Sequence, residues 1–400
     1  MILMKNFAKY FKRTVIYLLI IIFVINLTGC TGKRKDIQRL FLVLAVGIDL
    51  MPDNKLEVTM QILNPNVPTS QSGSSSGSSG KDIIIISGVG YTLFDAVFEA
   101  SKTMSRAQHF GHVKYIVVGD SLARNGIKDV FDSIIRIQEF RLNTPFLVTK
   151  GKASEIVKAQ TSKSPIPSIV IENLFLRQKD VGYRPFSYVI DVQNSLTNPT
   201  SAAVAAVINT KRGSEDSLDM NFELAGTAVF KKDKLIGYLN IKETRGLSWI
   251  MGTVKVGNIT FPADNFGIVS AEILRGSSKI KPIIDENGIS LQVNVKVFTD
   301  LRQLPNPADP VKNPEVLDQI GIFQSKAVKD EIELVLNMAK GQYKADIFGF
   351  GESIHKSYPK IWKSIKKDWD TIYENLNVII NVESIVRSAG LNNKSATEEE

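Results

Sequence analysis

The first thirty residues constrain this chain most, because they divide it into a part that folds in water and a part that does not. Lys5, Lys9, Lys12 and Arg13 form a cationic head with no acidic residue among them. An apolar run over 15–27 follows, interrupted only by Asn26, and it closes on Leu27-Thr-Gly-Cys30. A charged start, an apolar stretch of roughly 7–15 residues and an exit through small residues are the parts of an export signal. A membrane-spanning helix needs roughly 20 apolar residues, so a retained anchor helix is the weaker reading. Cys30 is the only cysteine in the chain. A lone cysteine is usually a small buried hydrophobe, but one placed directly after Gly29 at the end of the apolar run has a different context.

Leu27-Thr-Gly-Cys30 resembles the lipobox of bacterial lipoproteins. That resemblance implies a signal peptide at 1–29 and a covalent diacylglyceryl lipid on the Cys30 thiol, making Cys30 the lipidation residue and the new N-terminus. With its one cysteine used this way, the exported part has no disulfide, and buried cores must supply its stability. Residues 1–29 hold four of the 49 basic residues and none of the 41 acidic ones, so the remainder carries a net charge of +4. This weak, dispersed charge, without aromatic–basic interleaving, gives no support to nucleic-acid binding. Lys33, Arg34 and Lys35 follow the anchor and are placed to meet anionic headgroups, at about 1 kcal/mol each.

A chain of 400 residues is long for one core, and its patterning predicts an α+β protein of mixed α/β layers. Three consecutive domains are expected, with mainly antiparallel or mixed sheets flanked by helices, behind the signal peptide. The first, 30–195, opens with an apolar run at 40–48, read as a strand buried on both faces. Leu56, Val58, Met60 and Ile62 then alternate with polar residues as a strand with one wet face. The Ser/Gly-rich stretch 68–80 reads as a flexible loop. Helices are expected over 91–104, 127–137, 152–160 and 166–178, with strands at 83–86, 113–118 and 145–149. Polar residues near 191–200 place a boundary there.

A middle β-rich domain over 196–271 is expected to hold a strand at 203–209 and a hairpin closed by Lys231-Lys-Asp-Lys234. A short helix at 242–251 would face Trp249 inward. The last domain, 272–390, is read as helices on one face of an antiparallel sheet. Its clearest strand alternates Ile289, Leu291, Val293, Val295 and Val297 with polar residues. Val328, Ile332, Val335 and Ala339 mark one helix face; Ile361, Ile365, Trp369 and Ile372 mark a second helix. A strand at 376–382 closes the domain, and 391–400 reads as a disordered tail.

Motifs for chemistry are sparse. His109 and His112 bracket Gly111 between a helix and a strand, with no evident third ligand, so no metal site is assigned. Gly-x-Ser-x-Gly occurs once, at 73–77, inside the Ser/Gly loop, where the strand–turn–helix context of a nucleophile elbow is missing. No phosphate-binding glycine loop is present, and the cluster Asp346-Ile-Phe-Gly-Phe-Gly351 reads as close backbone packing. Glu243 and Arg245 form a compact charged cluster, read as a structural ion pair or helix start, or alternatively as a partner-contact surface. Trp362 and Trp369, seven apart, read as core, or as an aromatic interaction stripe. No catalytic residue and no cofactor is assigned.

Several segments together resemble the C subunits of bacterial spore nutrient-germinant receptors, the Ger(x)C lipoprotein family. They are Leu44-Ala-Val-Gly-Ile-Asp49, Thr92-Leu-Phe-Asp-Ala96, Phe110-Gly-His-Val-Lys114 and Phe140-Arg-Leu-Asn143 in the first part. Gly226-Thr-Ala-Val-Phe-Lys-Lys-Asp-Lys-Leu-Ile-Gly237, Glu243-Thr-Arg-Gly246, Arg275-Gly-Ser-Ser-Lys-Ile-Lys281 and Asp346-Ile-Phe-Gly-Phe-Gly351 follow. The stretch 31–36 and the Ser/Gly loop depart from the family pattern. The resemblance implies a non-enzymatic lipoprotein on the outer face of the spore inner membrane, acting with an A subunit and a transporter-like B subunit in nutrient-triggered germination. The competing expectation is a solute-binding lipoprotein that captures the nutrient itself, which requires a concave site with convergent polar groups. An exported hydrolase would need a nucleophile–base pair that the sequence does not offer.

Overall fold

The computed structural model describes residues 14–19, 21, 40–65, 82–182, 187–198, 200–213, 219–286, 288–305 and 313–387. The chain divides into Met1–Leu40 and Phe41–Glu400. In the first unit residues 14–19 are helical with exposed side chains. Among the described residues no helix is long and apolar enough to cross a membrane. Cys30, the Ser/Gly loop at 68–80 and the tail at 391–400 lie outside the described residues.

Strand β1 (Leu40–Leu50), which leads into the second unit, β2 (Leu56–Leu63) and β3 (Ile83–Gly90) form an antiparallel meander. Then come α1 (Leu93–Ser101), β4 (Ala107–His109), β5 (Tyr115–Gly119), α2 (Asp120–Asn125), α3 (Lys128–Arg136) and β6 (Phe146–Thr149). Next are α4 (Ala153–Lys158), α5 (Pro167–Leu176), α6 (Val189–Thr197), β7 (Val204–Arg212), β8 (Met220–Lys231) and β9 (Lys234–Leu239). These strands form one sheet in the order β3-β2-β1-β5-β6-β7-β8-β9, with β4 on β1. Its centre, β1-β5-β6-β7, is parallel. Parallel strands are normally covered on both faces, and these are: Val46, Ile48, Ile116 and Val148 pack under α1, α3 and α6, while Ala45, Val117 and Leu147 pack under α4 and α5. This double cover is why the 40–48 run reads as continuously apolar.

The remainder comprises α7 (Ile241–Ile250), β10 (Gly257–Ala263), β11 (Gly267–Asp285), β12 (Gly288–Gln303) and α8 (Glu315–Asn337). A π-helical turn, Met338–Tyr343, extends α8, and α9 (Phe350–Ser357), α10 (Pro359–Ile365), α11 (Trp369–Asn375) and β13 (Asn377–Val386) are the last elements among the described residues. The second sheet runs β10-β11-β12-β13. Leu291, Val293, Val295 and Val297 are buried in one core with Ile320, Val328, Ile332 and Val335 of α8, as their alternation requires.

Three expectations are corrected. The middle stretch 196–271 does not form a sheet of its own: β7, β8 and β9 continue the first sheet, whereas β10 begins the second. Local pattern locates strands but does not say which neighbour each will pair with. The last sheet is mixed rather than antiparallel, because β13 returns parallel to β12 after the helices. The helix expected through 361–372 is two helices, α10 and α11. Residues seven apart in a straight helix are separated by about 10.5 Å along its axis; the break lets the Trp362 and Trp369 rings meet edge-to-face at 5.3 Å.

Candidate functional site

The segment Glu243-Thr-Arg-Gly246 lies where α7 joins the two sheets, and each of its residues has a distinct physical role. Asn240 accepts a hydrogen bond from the Glu243 N–H at 3.0 Å, while the Glu243 carboxylate accepts one from the Asn240 N–H at 2.7 Å. This reciprocal capping box starts the helix. The buried Thr244 hydroxyl pairs at 3.0 Å with that of Thr227 on β8. Arg245 reaches across to α8, where Nε and Nη2 both donate to the Glu331 carboxylate, the former at 2.8 Å. Its Nη1 donates to the Asn258 carbonyl on β10 at 3.1 Å. The Trp249 indole N–H adds a third donor to Glu331, at 3.0 Å. Gly246 faces α8 so closely that a Cβ there would overlap the Glu331 carbonyl.

Glu243 and Arg245, weighed above as partner contacts, therefore have their charged groups engaged within the chain. Glu243 is 8% exposed, and the Arg245 side chain retains 21% exposure against 5% for Glu331. Glu331 was missing from the sequence reading although a signal exists: it follows Val328 by three positions and so shares the apolar face of α8. A carboxylate on a buried stripe requires a cationic partner elsewhere.

Asp346 organises the second glycine-bearing segment. Its carboxylate accepts backbone N–H bonds from Phe348 at 3.2 Å, Phe350 at 3.0 Å and Gly351 at 2.8 Å. Its own carbonyl accepts the Ala202 N–H at 2.9 Å, tying this loop to the start of β7. Burial pushes the carboxyl up to about 6, against the downward pull of those three N–H donors. Gly349 takes a left-handed conformation at φ 71°, and a Cβ on Gly351 would stand 2.7 Å from the Trp362 ring. The close-packing interpretation of the glycines agrees with this; the role of Asp346 was not legible from spacing. Trp362 and Trp369 are both buried, in the core arrangement.

Asp49, at the end of the first quoted motif, is also buried. Its two carboxylate oxygens accept the N–H groups of Ala153 at 2.7 Å and Ser154 at 2.8 Å, at the start of α4. His109 and His112 sit with ring centroids 5.7 Å apart, and His109 Nδ1 lies 3.2 Å from Glu139. Burial, then the neighbouring His109, Arg141 and Lys114, pulls His112 below its ordinary value. Among the described residues no three metal-ligating side chains gather.

A cleft of about 250 Å³ opens between α6 and α7. Asp191, Asn194 and Ser248 supply polar groups; Leu247, Met251 and Ile347 supply apolar wall. Part of Asp191 is already occupied, since it accepts the Tyr188 N–H at 3.2 Å.

Two family models match this chain. One, described as "Spore germination protein N-terminal domain", matches residues 33–210, and the other, "Spore germination B3/ GerAC like, C-terminal", matches residues 225–390. With both its parts matched, this α+β chain belongs to the Ger(x)C family of spore germinant-receptor C subunits. Among individual proteins it is similar to Spore germination protein KC of Bacillus subtilis (strain 168), at 28% identity over 96% of this chain and 97% of the relative. Spore germination protein B3 of the same organism is 26% identical, covering 87% of this chain and 90% of the relative. A crystal structure of the GerBC protein superposes with a TM-score of 0.54 at 19% identity, covering 85% of this chain and 96% of that one, which is a likeness of fold.

Proposed function

We propose that this protein is a lipid-anchored, non-enzymatic C subunit of a nutrient germinant receptor, held to the outer face of the spore inner membrane through Cys30 and acting by contact with the membrane A and B subunits. The observation that carries the reading is the match of both parts of the chain to spore germination proteins, joined to a leader that ends on Leu27-Thr-Gly-Cys30. A diacylglyceryl group gives two acyl chains, and two chains make a stable anchor where one is marginal. Tethering raises the effective concentration near membrane partners, so modest interfaces suffice. A platform role is supported by the buried ionisable groups: Asp49, Glu243, Glu331 and Asp346 are each bonded to helix starts, a loop or an arginine.

The test is Cys30→Ala in spores. The expected outcome is an uncleaved, unlipidated precursor by mass, no co-purification with the A and B subunits, and a reduced response to nutrients. An unchanged mature mass, or an intact complex and response, would overturn the proposal.

The α6–α7 cleft favours a second reading, in which the subunit binds the small nutrient itself. Asp191 and Asn194 facing Leu247 and Met251 suit a compact molecule with one polar and one apolar end. Calorimetry of the detergent-solubilised full chain against amino acids and sugars separates the two: heat abolished by Met251→Trp supports binding, and no heat with any germinant rejects it.

A further inference from the structure

The second unit carries a concentrated positive surface. Lys356, Lys360, Lys363, Lys366 and Lys367 fall within twelve residues, and no acidic side chain occurs from 353 to 367. All five are exposed, on the end of α9, on α10 and on the link to α11. Lys360 and Lys363 lie on one side of α10, while Trp362 is buried on the other and fixes which side faces out. The bordering carboxylates are largely taken: Glu352 lies 3.5 Å from Lys356, Asp370 lies 3.3 Å from Lys231 and Glu374 lies 2.9 Å from Lys344. Asp368 is the remaining neighbour, exposed at the start of α11. Among the described residues no carboxylate pairs with Lys360, Lys363, Lys366 or Lys367.

The position of this surface indicates what it meets. Strands β1, β5, β6 and β7 run in one direction, so Phe41 and the start of β7 share one end of the first sheet. The elements next to the lysines are fastened at that same end. Ala202, just before β7, donates to the Asp346 carbonyl, and Lys231, at the far end of antiparallel β8, donates to the Lys344 carbonyl at 2.8 Å. Eleven residue-to-residue steps lead from Cys30 to Phe41, and at about 3.3–3.6 Å each the chain reaches at most ~40 Å. That covalent limit keeps Phe41 within ~40 Å of the lipidated residue and leaves the orientation of the body to be set by its surface.

We propose that the lysine surface of α9, α10 and their link to α11 docks on anionic lipid headgroups of the membrane to which the chain is tethered. The anchor then limits distance and the lysines set orientation, turning one end of the body toward the bilayer. The proposal rests on lipid anchoring at Cys30, and the experiment reads the two separately.

Lipidated full-length protein is reconstituted on vesicles of phosphatidylcholine alone and on vesicles of equal parts phosphatidylglycerol and phosphatidylcholine. Lysine acylation is then followed by mass spectrometry. Flotation with the neutral vesicles reports the anchor and is independent of charge. The expected result is that labelling of Lys360, Lys363, Lys366 and Lys367 slows at least about fivefold on the anionic vesicles. Exposed Lys279 and Lys281 on β11 should be unaffected. Protection should vanish in about 0.5 M NaCl, where screening shortens to a few ångström. In the surface variant Lys363→Glu/Lys366→Glu/Lys367→Glu, Lys360 should label equally on both vesicle types. Equal labelling of wild type on the two vesicle types overturns the proposal. Protection that appears only in native membranes holding the other receptor subunits also overturns it, because a protein then covers the surface. Failure to float with neutral vesicles refutes the anchor without touching the result on anionic ones.

Discussion

Replacing Glu331 tests whether the two sheets are locked through the α7–α8 contact. Glu331→Ala removes one carboxylate that accepts two bonds from Arg245 and one from the Trp249 indole. Trp249 is 1% exposed, so its N–H is left without water. Arg245 keeps its bond to the Asn258 carbonyl and one-fifth of its exposure, which softens its loss. Breaking a buried ion pair from one side costs about 3–5 kcal/mol, out of a total stability of about 5–15 kcal/mol. Unfolding entropy near 2.1 cal/mol/K per residue converts that loss, for a body of about 350 residues, into a melting temperature about 4–7 °C lower. The assay is thermal unfolding of the solubilised full chain followed by tryptophan fluorescence, with Arg245→Met and the double variant alongside. The double variant removes both charges and should recover about half the loss or more, because an apolar pair tolerates burial that a lone charge does not. Single variants melting within about 1 °C of wild type, or a double variant as unstable as Glu331→Ala, would refute the reasoning.

Two further outcomes follow from buried carboxylates. The Asp346 carboxyl is raised from 3.8 to about 6, so the folded state binds the extra proton over that window and its contribution to stability declines as pH rises through it. Relative to Asp346→Asn, the wild type should lose about 2 kcal/mol between pH 4 and pH 7, measured as the difference in melting profiles; a pH-independent difference would contradict the assignment. Asp49→Ala leaves two helix-start N–H groups without an acceptor inside the protein. It should cost about 2–3 kcal/mol and speed hydrogen exchange at Ala153 and Ser154, while exchange as slow as in wild type would count against the bond.

Much of the fold was legible because it follows from period and composition. The alternation from Ile289 to Val297 announces a one-sided strand, and it lies on the second core with Val328, Ile332 and Val335 of α8 opposite. The hairpin around Lys231-Lys-Asp-Lys234 appears as β8 and β9, with Lys232 at φ 57° in its turn. The inward-facing Trp249 appears as expected. What the pattern did not carry was partnership. Arg245 and Glu331 stand 86 positions apart, and nothing local links them. The same holds for Asp49 with the start of α4, 104 positions away.

Taken alone, the amino-acid order determined which stretches become strands or helices and which faces seek a core. These depend on neighbours within a few positions, where spacing of 2 or 3.6 residues decides which side chains point together. Only the tertiary structure decided that the middle strands extend the first sheet, that β13 returns parallel, and that the charged cluster after the hairpin faces another helix instead of solvent. Those outcomes depend on which distant segments pair, a choice settled by the burial and hydrogen bonding of the whole body.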